Sequence, residues 1–147
     1  MVLFLCTGNY YRSRFAEILF NSLAARHQLP WRAVSRGLKI GWPGNVGPLS
    51  PHTRQRLDQL GIDCATMNNM PAELDADDLE SADRIIALKE DEHRAMLAKS
   101  FPAWENRVTY WHVHDLDGGT PTEALKEIEQ LVDDLVEKLK SENDGPV

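Results

Sequence analysis

Cysteine is scarce in this chain: Cys6 and Cys64 are the two thiols in 147 residues. So few thiols argue against a disulfide framework and fit a reducing compartment, so a cytoplasmic protein is expected. Positive charge is also short. Sixteen Lys and Arg against 23 Asp and Glu leave a formal net charge of −7, which a phosphate backbone would repel, so no nucleic-acid partner is expected. Long apolar runs are missing, none approaching the ~18 residues of a membrane span. The opening MVLFLC is too short for a signal peptide and has no basic residue ahead of it. No membrane partner is therefore expected. Repeats, low-complexity tracts and linkers are absent too. With 42% hydrophobic and 27% charged residues, the reading is one globular domain over 1–147, with 141–147 a polar, frayed tail.

The chemistry is concentrated near the start. The apolar run Val2-Leu3-Phe4-Leu5 leads into Cys6-Thr7-Gly8-Asn9-Tyr10-Tyr11-Arg12-Ser13, and Arg14-Phe15-Ala16-Glu17-Ile18-Leu19-Phe20 then reads as a helix. A buried strand, a tight turn and a helix N-terminus make an anion site, because backbone N–H groups converge there and the helix dipole adds positive charge. Cys6 at the strand's end is placed to act as a thiolate nucleophile. Arg12 closes the far rim, and its planar fork can hold two phosphate oxygens. The Ser13 hydroxyl can donate to the thiolate. A lone Cys after a strand is ordinarily a small buried hydrophobe. The spacing Cys-x5-Arg-Ser between strand and helix is what favours chemistry.

Along the rest of the chain, strand and helix alternate four times. Strands are expected over 2–6, 32–35, 85–88 and 108–111, and helices over 13–26, 50–60 and 90–99, with a last helix from Pro121 to about Leu139. Ser50 is the expected N-cap of the second helix, with Pro51 at its first position and Gly61 as its stop. Thr120-Pro121-Thr122-Glu123 reads as a capping box for the last. Seven glycines and prolines between Gly37 and Pro51 mark a loop, and 65–77 reads as a polar connection. The three acids of 90–92 with Arg94 read as a solvated face, and Cys64 as a structural thiol. His112 and His114 read as solvent-facing, and no metal or other cofactor is expected. The pattern is a doubly wound α/β fold with a parallel sheet and helices on both faces, whose ligands bind beyond the carboxyl ends of the strands.

Cys6-Thr7-Gly8-Asn9-x-x-Arg12-Ser13, with Ala16-Glu17 following, resembles the signature of the low-molecular-weight protein tyrosine phosphatases. Thioredoxin-coupled arsenate reductases share that signature. The resemblance implies a three-layer, flavodoxin-like fold with a four-stranded sheet in the order 2-1-3-4. It implies phosphomonoester hydrolysis through a phosphocysteine on Cys6, with Thr7, Gly8, Asn9, Tyr10, Tyr11 and Ser13 around the phosphate and Arg12 clamping it. The general acid implied is an Asp on the loop after the fourth strand. Asp115 is at the matching place, with Leu116 where the family has proline, and Asp117 is the fallback. The family's loop aromatic at the crevice wall corresponds to Trp42, read either as a substrate contact or as a packed anchor. The family's Ser-Ala-Gly is Ser35-Arg36-Gly37 here, which leaves Arg36 either near the site or a solvated charge. Tyr11 replaces a second loop cysteine, and Tyr10 stands where tyrosine phosphatases have an aliphatic residue and phosphoarginine phosphatases a threonine. The tyrosine pair either narrows the mouth or stacks on an aromatic substrate.

The expected partner is a phosphorylated protein, in the first place one carrying phosphotyrosine, or a small phosphomonoester, and the expected state is a monomer or weak dimer. Three rivals remain. An arsenate reductase needs further cysteines to pass a disulfide onward, and 88–93 has none. A phosphocysteine carrier would have no use for Arg12 and an acid. A phosphoprotein-binding module requires that neither Asp115 nor Asp117 reach the leaving group.

Overall fold

The computed structural model describes residues 1–41, 44–64, 69–113 and 121–143. Its centre is β1 (Val2–Cys6), five residues all buried, as a strand covered on both faces must be. β2 (Ala33–Gly37) lies on one side of it, and β3 (Arg84–Ala87) and β4 (Thr109–Tyr110) on the other. The order is β2-β1-β3-β4 and every pairing is parallel. The helices are α1 (Arg12–Arg26), α2 (Pro51–Gln59), α3 (Ala76–Ser81), α4 (Glu90–Ser100) and α5 (Pro121–Asn143).

Side chains alternate across the sheet and divide the core into two layers. Val2, Phe4 and Cys6 face Phe15, Leu19 and Phe20 of α1, Leu57 of α2 and the Leu125, Ile128, Val132 and Leu139 stripe of α5. Leu3 and Leu5 face the other way, toward Leu79 of α3 and Leu97 of α4. Each such side chain, fully buried, contributes roughly 1.5–3 kcal/mol. The layering is helix, sheet, helix, as the alternation along the chain requires. Among the described residues no helix is long and apolar enough to cross a membrane.

The expected elements are present with shifted bounds, and one is new. α3 occupies the stretch read as a polar connection running into the third strand. Its six residues bury only Leu79, too little for a periodic signal. It is held instead by a capping box in which Asp75 accepts from the Asp78 N–H and Asp78 from the Asp75 N–H. β2 sits one residue later than expected and ends at Gly37, where backbone pairing reaches the end of β1. β4 is shorter than 108–111, although Trp111 and Val113 still donate to the Ala87 and Leu88 carbonyls at 2.8 and 3.0 Å. α5 runs to Asn143, so the start of the expected frayed tail is helical. There Arg84 grips both oxygens of Glu142 at 2.8 and 3.1 Å. Residues 144–147, and Thr120 of the expected capping box, lie outside the described residues. Ser50 caps α2 as anticipated, accepting from the His52 N–H at 3.2 Å. Gly61 follows with φ +74°, the left-handed turn that ends helices.

The carboxyl ends of β1 and β2 meet at Cys6 and Gly37, which are register partners. The loop between β1 and α1 therefore lies on the backbone just after β2. Leu38 and Lys39 donate to the Cys6 and Thr7 carbonyls, each at 2.9 Å. Gly37 is required by that approach. A Cβ there would come within 2.8 Å of the Thr7 carbonyl oxygen and 3.0 Å of the Asn9 nitrogen, both backbone atoms of the loop.

Candidate active site

The loop occupies only 7–11, between Cys6 at the end of β1 and Arg12 at the start of α1. α1 has no side-chain cap from Tyr11 and no acid in its first turn. The partial positive charge of its N-terminus is thus left uncompensated within the element, the condition that favours an anion.

Cys6 Sγ lies 2.9 Å from Ser13 Oγ, and both residues are buried. The direction of that contact follows from Asn9. Its Oδ1 accepts the Ala72 N–H at 2.9 Å, so its Nδ2 is the donor, to Ser13 Oγ at 3.0 Å and to Ser35 Oγ at 2.9 Å. Ser13 accepts from Asn9 and has its own proton to give to the sulfur. Ser35 passes its proton to Glu17 in a short hydrogen bond, and Glu17 pairs with the buried Arg14 at 3.6 Å. Burial pulls the Arg14 guanidinium down from its ordinary value, Glu17 opposing and Arg36 assisting. Ser35 and Glu17, part of the motif's surroundings in sequence, thus form the support behind Asn9.

Arg12 is buried. Its Nη2 lies 3.5 Å from Glu92 Oε1, while Nη1 is buried without a hydrogen-bond partner among the described residues. Thr7 also donates a short hydrogen bond to Glu92 and lies 3.2 Å from His93 Nε2. His93 Nδ1 accepts the Lys89 N–H at 3.0 Å, so in the neutral ring the proton is on Nε2 and points to Thr7. Of the three acids of α4, only Asp91 is exposed as expected. Glu92 enters the site, and Glu90 takes Arg94 at 3.0 Å and His112 at 3.2 Å. Sequence reasoning missed Glu92 and His93, since their partner Thr7 lies 85 and 86 residues away. The first turn of a helix following the sheet's carboxyl edge was the only available signal.

The two tyrosines part company. The Tyr10 hydroxyl donates to the Val46 carbonyl at 2.8 Å and the Ser50 N–H donates to the Tyr10 carbonyl at 2.9 Å, so Tyr10 pins the loop that follows β2. Tyr11 stands half-buried, edge-on to His52 with ring centroids 6.4 Å apart. Gly8 is half-buried between Thr7 and Asn9. Arg36 is half-buried rather than a solvated charge. It pairs with Asp78 at 3.3 Å and borders a cavity of about 350 Å³ behind the loop, shared with Asn9, Arg14, Glu17 and Arg32. Cys64 is buried and free, and burial pushes its thiol up. Trp42, His114, Asp115 and Asp117 lie outside the described residues. The described chain before the last three is fixed: His112 bridges to Lys89, and Val113 bonds to Leu88.

A buried thiol at a strand end, a hydroxyl beside it, a half-free guanidinium and an uncapped helix N-terminus suit transfer of a phosphoryl group. The profile of the low molecular weight phosphotyrosine protein phosphatases matches residues 1–144. The chain belongs to that family. The low molecular weight phosphatase described here is 28% identical to a protein-arginine-phosphatase of Bacillus subtilis (strain 168), an alignment spanning 96% of this chain and 97% of the relative. Its fold is similar to the crystal structure of a low molecular weight protein tyrosine phosphatase from T. tengcongensis, with TM-score 0.77 and 28% identity over 93% and 97% of the two chains. It is equally similar to the solution structure of a low molecular weight protein tyrosine phosphatase from Bacillus subtilis, with TM-score 0.77 and 28% identity over 97% and 98%. Among its described residues, no three His, Cys, Asp or Glu side chains are placed to hold a metal ion.

Proposed function

We propose that this phosphatase hydrolyses phosphorylated protein side chains through a covalent intermediate on Cys6. The observation that carries the reading is the 2.9 Å contact between Cys6 Sγ and Ser13 Oγ, with Asn9 fixing the direction of the Ser13 proton. In the first step the thiolate attacks phosphorus, an S–P bond forms, and the bond from phosphorus to the leaving group breaks. The leaving group takes a proton from a general acid on the loop after β4, for which Asp115 is the candidate and Asp117 the alternative. Arg12 and the N–H groups of 7–13 hold the equatorial oxygens, whose charge is greatest at the transition state. In the second step water attacks phosphorus, gives its proton to the same carboxylate, and frees the thiolate and inorganic phosphate. This single domain would work in the cytoplasm as a monomer or weak dimer, without metal or cofactor.

Phosphotyrosine is the substrate to which the family description points. Phosphoarginine is the second reading, favoured by the two relatives described as protein-arginine-phosphatases, from Bacillus subtilis and Geobacillus stearothermophilus. A pre-steady-state experiment with p-nitrophenyl phosphate tests the common mechanism. A burst of one equivalent followed by turnover is expected, with turnover abolished and vanadate binding kept in Cys6→Ser. A burst without turnover would mean a phosphoryl carrier, and no burst a binding module.

A further inference from the structure

We propose that Glu92 determines specificity in this site, favouring a phosphoryl group borne on a protonated guanidino nitrogen over one borne on an oxygen. The inference rests on the hydrolytic reading above and refines its substrate class. Glu92 belongs to the first turn of α4 and reaches the loop from across the sheet edge. Its Oε1 accepts the Thr7 hydroxyl and lies 3.5 Å from Arg12 Nη2. The fully buried His93 stands behind Thr7, so the acceptor's position is fixed by loop and helix together. Yet the Glu92 side chain keeps 30% of its surface open, so part of it remains within reach of a ligand.

A carboxylate fixed beside the phosphate-clamping arginine is costly for an ordinary phosphomonoester. That ester is a dianion at neutral pH, and like charges a few ångströms apart repel while competing for the same guanidinium. The cost is removed when the substrate brings its own cation. In phosphoarginine the protonated guanidino group is bonded directly to phosphorus, so a phosphate seated on Arg12 places positive charge near Glu92. The planar fork of a guanidinium also matches a carboxylate in shape. One residue thereby disfavours phosphotyrosine and favours phosphoarginine, the two-sided arrangement from which specificity is usually built.

The test compares wild type with Glu92→Gln, which is isosteric and keeps an acceptor for Thr7. The measurements are kcat/KM on a phosphoarginine peptide and on a phosphotyrosine peptide of the same sequence, and the binding constants of inorganic phosphate and vanadate. Glu92→Gln should bind both anions about tenfold more tightly, raise kcat/KM on phosphotyrosine several-fold and lower it on phosphoarginine about tenfold. Glu92→Ala should move every value in the same direction. A uniform change on both peptides, or none, overturns the proposal and leaves Glu92 a structural residue. If wild type hydrolyses neither peptide, the hydrolytic reading fails. Anion affinity in Glu92→Gln then decides alone on the charge of Glu92, and an unchanged affinity removes it.

Discussion

Asn9 shows how much of this site hangs on one side chain. Its φ of +50° lies in the left-handed region, which costs most residues roughly 1–2 kcal/mol and which asparagine tolerates best after glycine. The amide makes three hydrogen bonds, one received from the Ala72 N–H and two given to the hydroxyls of Ser13 and Ser35. Asn9→Ala leaves buried hydroxyls and an N–H short of partners, and should destabilise the fold by about 1–3 kcal/mol, measured by urea unfolding. It should also lower kcat by tenfold or more with little change in KM, because Ser13 loses the donor that directs its proton at Cys6. A stability loss with wild-type kcat would show that Ser13 is oriented without Asn9. At this scale the sequence was legible where partners lie close along the chain, as Cys6, Asn9 and Ser13 do in their contacts with one another. It was silent about Glu92, whose role comes entirely from a contact between distant elements.

Among the elements, those with a strong periodic or capping signature could be read, and those set by their neighbours could not. α5 carries an unbroken apolar stripe and α2 has its Ser50-Pro51 start, and both are present as expected. α3 is too short to show a period, and β4 is cut short where the chain turns to meet α4. α1 was placed correctly, but its buried surface wraps from Arg12 through Ala16 and on to Ala24, more than a one-sided stripe suggests. α2 and α5 are tied together by Arg56, which grips both oxygens of Glu129 at 2.7 and 3.0 Å. The next turn of α5 is less well balanced. Partial burial of its carboxyl, then Glu129, Asp134 and Glu137, push Asp133 above the ordinary carboxylate range. An acid raised in this way binds protons more tightly when folded, so its ionised form costs stability at neutral pH, and that cost shrinks as pH falls through the folded value and is gone below the unfolded one. Asp133→Asn should stabilise the fold at pH 7 slightly, by no more than about 0.5 kcal/mol for so exposed a group. The gain should disappear near pH 3 and shrink with added salt. Thermal melts across that range check it, and a gain that persists in acid would point to helix propensity instead.

For the molecule as a whole, the strand order decides where an acid can come from. With β3 between β1 and β4, anything delivered from the loop after β4 must cross the end of β3 and the first turn of α4. His112 and Val113 are already anchored there, His112 by its bridge to Lys89 and its contact with Glu90, Val113 by its bond to Leu88. Asp115 follows two residues beyond Val113 and Asp117 four, so the nearer one starts from the better-fixed position. If Asp115 is the acid, Asp115→Asn should slow aryl phosphates with poor leaving groups by roughly 10²–10⁴-fold and p-nitrophenyl phosphate far less. The need for a proton grows with the charge left on the departing oxygen, and p-nitrophenolate carries its charge with little help. The same substitution should flatten the alkaline limb of the rate profile, where loss of the acid's proton limits formation of the phosphoenzyme. Asp117→Asn should do neither. The measurement is a series of substituted phenyl phosphates assayed with both variants from pH 5 to 9. An exchange of behaviour between them would assign the acid to Asp117, displaced by Leu116 in the place of the family's proline. Wild-type dependence on the leaving group in both would remove this loop from the chemistry and leave Glu92 as the one described carboxylate in contact with Arg12.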